Sequence, residues 1–275
     1  MALNIASLNS GSNGNCYYVG NENEAVLIDL GISCREAEIR MKKIGLLMNK
    51  VKAIFVSHEH TDHIKGVSTL AHKYSLPVYI TLETAKNGPR LIKHLIKPFS
   101  ADQPVQIGDL QILPFTKQHD AIDPHSFIIR NKEITVGVIT DIGIVCQQVE
   151  KYFKQCNAVF LESNYDELML ENGKYPQILK DRITGGKGHI SNNQALELFI
   201  HHRSPFLSHL LLAHLSKENN SPELVQQLFA PYAGTTLITV ASRYEATQVF
   251  QIGNPASTSS IPKNFNQKTK QFSIF

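Results

Sequence analysis

One short segment carries an unusual density of side chains that bind metals. VSHEHTDH places His58, His60, Asp62 and His63 in the order HxHxDH. Neutral imidazoles and carboxylates are ligands that Zn²⁺, Mn²⁺ and iron accept in proteins. Because a turn lets these positions converge, the first two and the last two residues predict ligands for two adjacent ions. Glu59 is expected to face solvent or brace a neighbour, and the absence of HExxH disfavours a zincin protease.

Further candidate ligands lie where other predicted strands end. The HxHxDH segment itself follows the buried strand VKAIFVS and precedes a helical pattern. His119 follows LQILPFT, Asp141 ends EITVGVIT and His214 ends HLLLAHLS. Sites in open α/β sheets gather at the carboxyl ends of strands. His125 is close to His119 in the chain, and spacing alone does not decide which of the two is the third ligand.

The pattern of elements predicts an α/β protein. Short strands give way to an antiparallel series that ends at Asp141, and strands then alternate with helices. This order indicates sheets packed face to face and covered by helices. We predict a single domain over residues 1–252, with sheet halves of about 1–145 and 146–252. Residues 253–275 are rich in Pro, Ser, Asn and Lys and are predicted to form a polar C-terminal tail.

Composition excludes several classes of protein. The 275-residue chain is 42% hydrophobic and 19% charged, as is usual for globular proteins. No apolar run reaches the roughly 20 residues of a membrane span, and no secretion signal is evident at the N-terminus. Four scattered cysteines without a CxxC motif fit a reducing cytoplasm. We therefore predict a cytoplasmic protein with no membrane partner, whose net charge of +3 permits an anionic substrate.

The order of the candidate ligands resembles that of one superfamily. HxHxDH, His119, Asp141 in ITDIG and His214 in LLAHLS follow one another as in the metallo-β-lactamase superfamily. The resemblance covers about residues 3–245. It implies an αββα four-layer sandwich with two divalent ions, Zn or Mn with Fe also compatible, held between the sheets.

The resemblance also implies a role for each matching residue. The ligands of the first metal would be three histidines: His58, His60 and His119. The ligands of the second metal would be one aspartate and two histidines: Asp62, His63 and His214. Asp141 would bridge the ions, and Asp29 in VLIDLG would brace a ligand. His189 matches the family's proton-donating histidine, with bracing of its Gly-rich loop as the alternative, and Asp62 is expected to act with it in catalysis.

Longer segments narrow the resemblance to one branch. SGSNGNCYYV, HEHTDHIKGV, QHDAIDP, KYPQILKDRITGGKGHISNNQA and HLSKENN are similar to the YycJ/WalJ-like branch. That branch implies a 5′-exonuclease acting on double-stranded DNA through a hydroxide that bridges the metals. GHISNNQA and LLLAHLS together also resemble tRNA 3′-end ribonucleases and cyclic-phosphate phosphodiesterases. His125 in DPHSF departs from the pattern, which has a smaller residue there, and this blurs the choice of the third ligand.

Six residues are candidate contacts for a substrate phosphate: Ser12, Asn15, Lys180, Arg182, Ser191 and Asn192. The small residues of SGSNGN would form an anion-binding nest of backbone N–H groups or, alternatively, a hairpin turn. The basic pair in LKDRI would meet phosphates or remain solvated. The Ser-Asn pair in HISNN would contact the substrate, although capping of the next helix is the favoured primary role.

The function that these features favour is metal-dependent phosphodiester hydrolysis, with DNA a better match than RNA as the nucleic-acid partner. One alternative is an RNA-processing enzyme or a phosphodiesterase for a small cyclic nucleotide. A second, from another class, is a thioester hydrolase of the glyoxalase II kind, which the HLSKENN and GHISNN segments disfavour. The sequence predicts neither the native metal nor the oligomeric state.

Overall fold

The computed structural model describes residues 2–253. The first six strands are β1 (Leu3–Asn9), β2 (Cys16–Gly20), β3 (Ala25–Ile28), β4 (Val51–Phe55), β5 (Val78–Ile80) and β6 (Ile96–Pro98). The next seven are β7 (Val105–Ile107), β8 (Leu110–Thr116), β9 (His125–Asn131), β10 (Ile134–Ile139), β11 (Ala158–Glu162), β12 (His209–Ala213) and β13 (Leu237–Val240). The last described strand, β14 (Phe250–Ile252), pairs with β1.

The helices begin where the sequence supplies caps. They are α1 (Cys34–Lys43), α2 (Thr61–Ile64), α3 (Val67–Tyr74), α4 (Leu82–Asn87), α5 (Gln147–Phe153), α6 (Glu167–Asn172), α7 (Gln177–Thr184), α8 (Asn192–His202) and α9 (Pro222–Phe229). Five have a capping side chain that accepts a backbone N–H of the first turn: Ser33, Thr81, Asp166, Ser191 and Ser221. Within residues 2–253, none of these helices is long and apolar enough to cross a membrane.

The strands form two sheets with the same plan. In the first, the order is β14-β1-β2-β3-β4-β5-β6, and β3 to β6 are parallel. In the second, the order is β13-β12-β11-β10-β9-β8-β7, and β10 to β13 are parallel. Each sheet therefore has a parallel part whose strands end at a common edge.

Three buried apolar layers separate these elements. Ile5 and Phe55 of the first sheet pack with Phe127 and Phe160 of the second, and all four are fully buried. A second layer lies between the first sheet and helices α1 and α3, and a third between the second sheet and α5, α8 and α9. The order of layers is helix, sheet, sheet, helix, which confirms the predicted αββα sandwich.

The chain passes from one sheet to the other between Pro98 and Val105, so the predicted division near residue 145 is too late. The antiparallel series from β7 to β10 continues into β11 by parallel pairing of Val136 with Ala158. Alternation of elements cannot reveal this, since both sheets combine antiparallel and parallel strands. The single domain over residues 1–252 stays a prediction, and the predicted tail, apart from Gly253, lies outside the described residues.

Candidate dinuclear metal centre

The candidate site lies where the carboxyl ends of parallel strands from both sheets meet. In the first sheet, Asp29 follows β3 and the HxHxDH segment follows β4. In the second, Asp141 follows β10, Glu162 ends β11 and His214 follows β12. Since parallel strands end at a common edge, the fold gathers residues that are far apart in the sequence.

Three of these residues have a left-handed backbone that is uncommon outside glycine. The φ angle is 58° at Asp29, 54° at Asp141 and 57° at His214. Such a conformation costs roughly 1–3 kcal/mol and persists only where its surroundings impose it. The backbone N–H of Asp29 donates to Phe55 at 2.8 Å, and that of His214 donates to Ser10 Oγ at 2.7 Å. The strained turn after each strand indicates that these side chains are aimed for a function.

Three ring nitrogens converge on one side of the site. His60 Nδ1 lies 3.1 Å from His58 Nε2 and 3.4 Å from His119 Nε2. Ser57 donates its hydroxyl proton to Asp29, so the contact of 2.8 Å between Ser57 Oγ and His58 Nδ1 requires that His58 donate. His119 Nδ1 likewise donates to the carbonyl of Gly188 at 2.9 Å. His58 and His119 therefore each turn an unprotonated Nε2 toward the centre, as a metal ligand must, and His60 faces them with Nδ1.

A second set of ligand atoms lies beside the first. Asp62 Oδ2 is 3.6 Å from His63 Nε2 and 3.5 Å from His214 Nε2. The other ring nitrogen of His63 donates to Asp29 Oδ2 at 2.7 Å, which orients the ring. Asp141 lies between the two sets, with Oδ2 3.4 Å from His63 Nε2 and Oδ1 3.9 Å from His119 Nε2.

Charges in this cluster stabilise one another. Burial alone would lower the pKa of His63, but the carboxylates of Asp141, Asp29 and Asp62 raise it well above its usual range. Burial would raise the pKa of Asp141, yet His214 and His63 hold it well below its usual range. Asp141 is therefore ionised, which is the form of a carboxylate that binds a cation.

In the first set, two histidines have lowered pKa values, in contrast to the raised pKa of His63 in the second set. Burial lowers the pKa of His58 well below its usual range and lowers that of His119 to about 4. Both rings are neutral at physiological pH, which is the form that binds a metal.

Two buried atoms support the fit to metal ions. Asp141 Oδ2 and His214 Nε2 have no hydrogen-bond partner among residues 2–253. Buried polar groups without partners are rare and call for an explanation such as a bound ion. Several overlapping groups of imidazole nitrogens and carboxylate oxygens occur here, and within each group the atoms lie within 4.8 Å of one another. The residues present fit divalent metal ions.

His125 lies apart from both sets. It begins β9, packs edge-on against Phe99 and donates Nδ1 to the carbonyl of Asp123 at 2.9 Å. His119, in contrast, reaches His60 as described above. The geometry therefore favours His119 as the third ligand, a choice that spacing left open.

Glu162 is a site residue that the sequence reasoning missed. Its carboxylate accepts Nδ1 of His189 at 2.8 Å and Nδ1 of His214 at 3.0 Å. It also accepts the backbone N–H groups of Asp141 at 3.2 Å and Ile142 at 2.9 Å. Burial would raise its pKa, but His189 and the hydrogen bonds lower it to about 2. An acid at the end of the apolar strand NAVFLE was the available signal, the same one that marked Asp141.

The SGSNGN segment contributes in two different ways. Ser12 is exposed and lines the cleft above the site. Asn15 is buried, and its Nδ2 donates to Asp62 Oδ2 at 3.2 Å. Its Oδ1 accepts the backbone N–H of Gly11 at 3.0 Å and the hydroxyl of Tyr17 at 3.2 Å. Asn15 therefore braces Asp62, and the predicted phosphate contact does not fit its buried position.

The two basic residues of LKDRI lie in different places, Arg182 at the cleft and Lys180 on the surface. Arg182 lines the cleft and pairs with Asp120. Lys180 donates to the carbonyl of Glu171 at 2.6 Å and does not line the cleft. Of the two, Arg182 is the candidate that the structure places near a substrate.

The Ser-Asn pair that starts α8 has structural roles. Ser191 forms a capping box with Gln194. Asn192 is 1% exposed, accepts the hydroxyl of Ser163 at 2.6 Å and donates to Asn220 at 3.0 Å. The predicted phosphate contacts do not fit these positions, because both side chains are committed to the protein interior.

An open cleft of about 250 Å³ gives access to the candidate centre. His60, Asp62 and His189 line it together with Asp141, His119 and His214. Tyr175 and Arg182, from the segment around α7, form part of its wall. The cleft admits a polar group of modest size to the point where both ligand sets meet.

Comparison with known proteins agrees with this architecture. The family described as beta-lactamase superfamily domain matches residues 24–214. Exodeoxyribonuclease YycJ of Bacillus anthracis is 37% identical over 230 residues, 82% of this chain and 87% of that relative. Exodeoxyribonuclease WalJ of Streptococcus pneumoniae is 31% identical over 226 residues, 79% of this chain and 83% of that relative. The metallo-β-lactamase fold protein YhfI from Bacillus subtilis has a TM-score of 0.70 at 16% identity, covering 91% of this chain and 100% of YhfI.

The chain therefore belongs to the metallo-β-lactamase superfamily. Within that superfamily it groups with the YycJ/WalJ-like branch, as the sequence segments predicted. The solved structure, at its low identity, supports the fold alone.

Replacing Asp29 is expected to weaken metal binding without removing a ligand. In Asp29→Asn, the contact with His63 Nδ1 at 2.7 Å loses its charge, so the ring is less basic and less firmly oriented. We expect divalent-metal affinity to fall about 10–100-fold, the usual effect of losing such a partner. Competition with a chromogenic chelator measures the affinity. Asp109→Asn, at an exposed position, is the matched control, and equal affinities in the two variants would refute a bracing role for Asp29.

Gly31 is required by its contact with the backbone of Asp62. A Cβ atom at Gly31 would lie 1.6 Å from the Asp62 carbonyl oxygen. Gly31→Ala is expected to lower the free energy of unfolding by about 1–3 kcal/mol and to reduce metal content, because Asp62 must move. Denaturant unfolding and elemental analysis measure both effects. At Gly45 a Cβ meets no atom within 4 Å, but the φ angle is 77°, so Gly45→Ala is strained by its backbone alone. This control is expected to lose stability and keep its metal content, and an equal loss of metal in Gly45→Ala would contradict the explanation by contact with Asp62.

Proposed function

We propose that this chain is a dinuclear metal-dependent phosphodiesterase, an exonuclease that acts on the 5′ ends of double-stranded DNA. The observation that carries the proposal is the position of Asp141, 3.4 Å from His63 Nε2 and 3.9 Å from His119 Nε2. One carboxylate thus reaches both ligand sets, as two adjacent ions require. The curated relatives, both named exodeoxyribonucleases, support DNA as the substrate class.

The proposal assigns the ligand atoms to two ions. The residues that would hold the first ion are His58, His60 and His119. The residues that would hold the second ion are Asp62, His63 and His214. Asp141 would contribute to both. When bound, two divalent ions (Zn²⁺ or Mn²⁺, with Fe²⁺ also compatible) lower the pKa of a water and neutralise charge on the phosphodiester.

Two groups of the chain are placed to move protons. His189 donates Nδ1 to Glu162 at 2.8 Å, so its Nε2 is free to face the cleft that the ring lines. From that position it donates a proton to the leaving alkoxide, as a general acid does. Asp62, which Asn15 holds in place at 3.2 Å, accepts a proton from the attacking water. Glu162 keeps His189 oriented by accepting this hydrogen bond.

A substrate panel tests the proposal. We expect the metal-loaded protein to hydrolyse 5′-phosphorylated duplex DNA and bis-p-nitrophenyl phosphate, with the DNA shortened from its 5′ end. Turnover is expected to fall to background after treatment with a chelator and to return with Mn²⁺ or Zn²⁺, because the ions supply the activation of water. Structured RNA and S-lactoylglutathione complete the panel. Turnover of RNA alone would assign the RNA-processing alternative, and turnover of the thioester alone would assign the glyoxalase II kind.

We also propose a cytoplasmic location. Cys16, Cys34, Cys146 and Cys156 are all unpaired thiols in the described part of the chain. Unpaired thiols are typical of reducing compartments. Detection of the protein in the cytosolic fraction of its source cells tests this location, and recovery from a secreted fraction would contradict it.

A further inference from the structure

A second cavity, of about 310 Å³, adjoins the metal cleft. Ser216 lines both cavities. It follows the candidate ligand His214 by two residues, and two residues span at most about 7 Å. The SGSNGN segment also contributes to both cavities, since Ser12 lines the metal cleft and Ser10 lines the second cavity. A strand bound at the candidate centre would therefore place its next nucleotide in the second cavity.

The two cavities differ in charge. The metal cleft is lined by carboxylates, among them Asp62, Asp120 and Asp141. The second cavity has Lys217 and Arg243 in its lining and, among the described residues, no carboxylate. The exposed Lys217 ammonium lies 3.7 Å from Glu218, which leaves Arg243 as its principal cation. The electrostatics of this cavity suit a phosphate.

Arg243 is fixed in place without being neutralised. Its Nη2 donates to the carbonyl of Leu215 at 2.9 Å, and its own carbonyl accepts Asn13 Nδ2 at 3.0 Å. A Cβ at Gly11 would lie 2.8 Å from the same Nη2, so the glycine makes room for the guanidinium. An arginine has five N–H donors, and a carbonyl partner leaves both its charge and its other donors for a ligand.

Tyr244 lines the same cavity as this cation. The residue is 74% exposed. Its backbone is nevertheless held at both ends, since its N–H donates to Ser242 Oγ at 3.0 Å and its carbonyl accepts Arg40 Nη2 at 2.8 Å. An exposed aromatic ring on a fixed backbone is suited to stack on a base, and stacking is a general way to bind nucleic acid strands.

We propose that the second cavity is a subsite for the nucleotide next to the cleaved phosphodiester of DNA. Arg243 contacts the flanking phosphate, and Tyr244 stacks on the base. This inference rests on the proposed function, because only a substrate with a further nucleotide fills both cavities.

The test compares a long substrate with a short one. For each variant, kcat/KM is measured with 5′-phosphorylated duplex DNA and with bis-p-nitrophenyl phosphate, which has no flanking nucleotide. We expect the ratio of the two values, DNA over short substrate, to fall about tenfold in Arg243→Gln and in Tyr244→Ala, the order of effect that a stacked base supplies. Arg243→Lys is expected to restore part of the loss by returning the charge.

The matched control is Arg203→Gln. Arg203 donates to the carbonyl of Tyr232 at 2.6 Å, stacks at 4.5 Å over Phe199 and lines neither cavity, so the ratio should not change. An unchanged ratio in Tyr244→Ala, with equal loss on both substrates in Arg243→Gln, would overturn the inference and leave Arg243 as a structural brace of Leu215. A wild-type protein that cleaves neither phosphodiester would instead refute the proposed function, before any variant is compared.

Discussion

Asp141→Asn is expected to bind one divalent ion in place of two and to lose about 10²–10³-fold in phosphodiester turnover. The carboxylate lies 3.4 Å from one ligand set and 3.9 Å from the other, so this single change affects both sets. An amide keeps the shape of the side chain but removes the negative charge and one of its two acceptor oxygens. The expected loss is therefore electrostatic and not a consequence of lost volume.

Elemental analysis and turnover of bis-p-nitrophenyl phosphate measure the two effects of this substitution. Asp123→Asn is the matched control, because Asp123 lies in the loop near His125, where its carboxylate is 3.8 Å from that ring and away from both sets. We expect the control to retain two ions and full turnover. Two tightly bound ions and undiminished turnover in Asp141→Asn would contradict the shared-ligand assignment.

His189→Ala is expected to lower turnover by an amount that depends on the leaving group of the substrate. A proton donor matters most when an alkoxide leaves, as in DNA, and little when the stable p-nitrophenolate leaves. We expect turnover of duplex DNA to fall about 10²–10⁴-fold, with a much smaller loss on bis-p-nitrophenyl phosphate and unchanged metal content. Steady-state kinetics on both substrates give the comparison.

The outcome for His189 also distinguishes its two candidate roles. If the residue only braces its loop, both substrates should lose turnover to the same degree, and the proton-donor assignment fails. His201→Ala, at an exposed position near the end of α8, is the control for removal of a histidine and should leave both activities unchanged. Glu162→Gln should lower turnover of both substrates and that of DNA more, because Glu162 accepts Nδ1 of the candidate ligand His214 at 3.0 Å as well as His189 Nδ1 at 2.8 Å.

The sequence predicted which residues converge at the candidate centre because their chemistry and their placement coincide. His119, Asp141 and His214 each combine a metal-binding side chain with the end of an apolar strand, and strand ends are where a sheet exposes residues at a common edge. The αββα architecture, which the family resemblance implied, is confirmed by the order of the layers. Glu162 satisfied the same criterion and was missed, since a single acid at a strand end gives no indication that it will accept five donors.

The predicted phosphate contacts could not be decided from the sequence for a different reason. Asn15 and Asn192 are short polar side chains in turns, and the sequence does not say whether such groups face inward or outward. In the structure both are buried and bonded to protein groups. The cavity beside Arg243 was equally hidden, because it is formed by segments more than 200 positions apart, around Ser10 and Tyr244.

The candidate centre draws its residues from both sheets, and this has a consequence for how the chain folds. His58 and His63 belong to the edge of the first sheet, whereas His119, Asp141 and His214 belong to the second. Neither sheet alone carries a complete set, so tight metal uptake has to follow the docking of one sheet on the other. Forming such distant contacts is slow, because the intervening chain must first lose conformational freedom. Time-resolved metal uptake during refolding would therefore act as a reporter of the last stage of assembly.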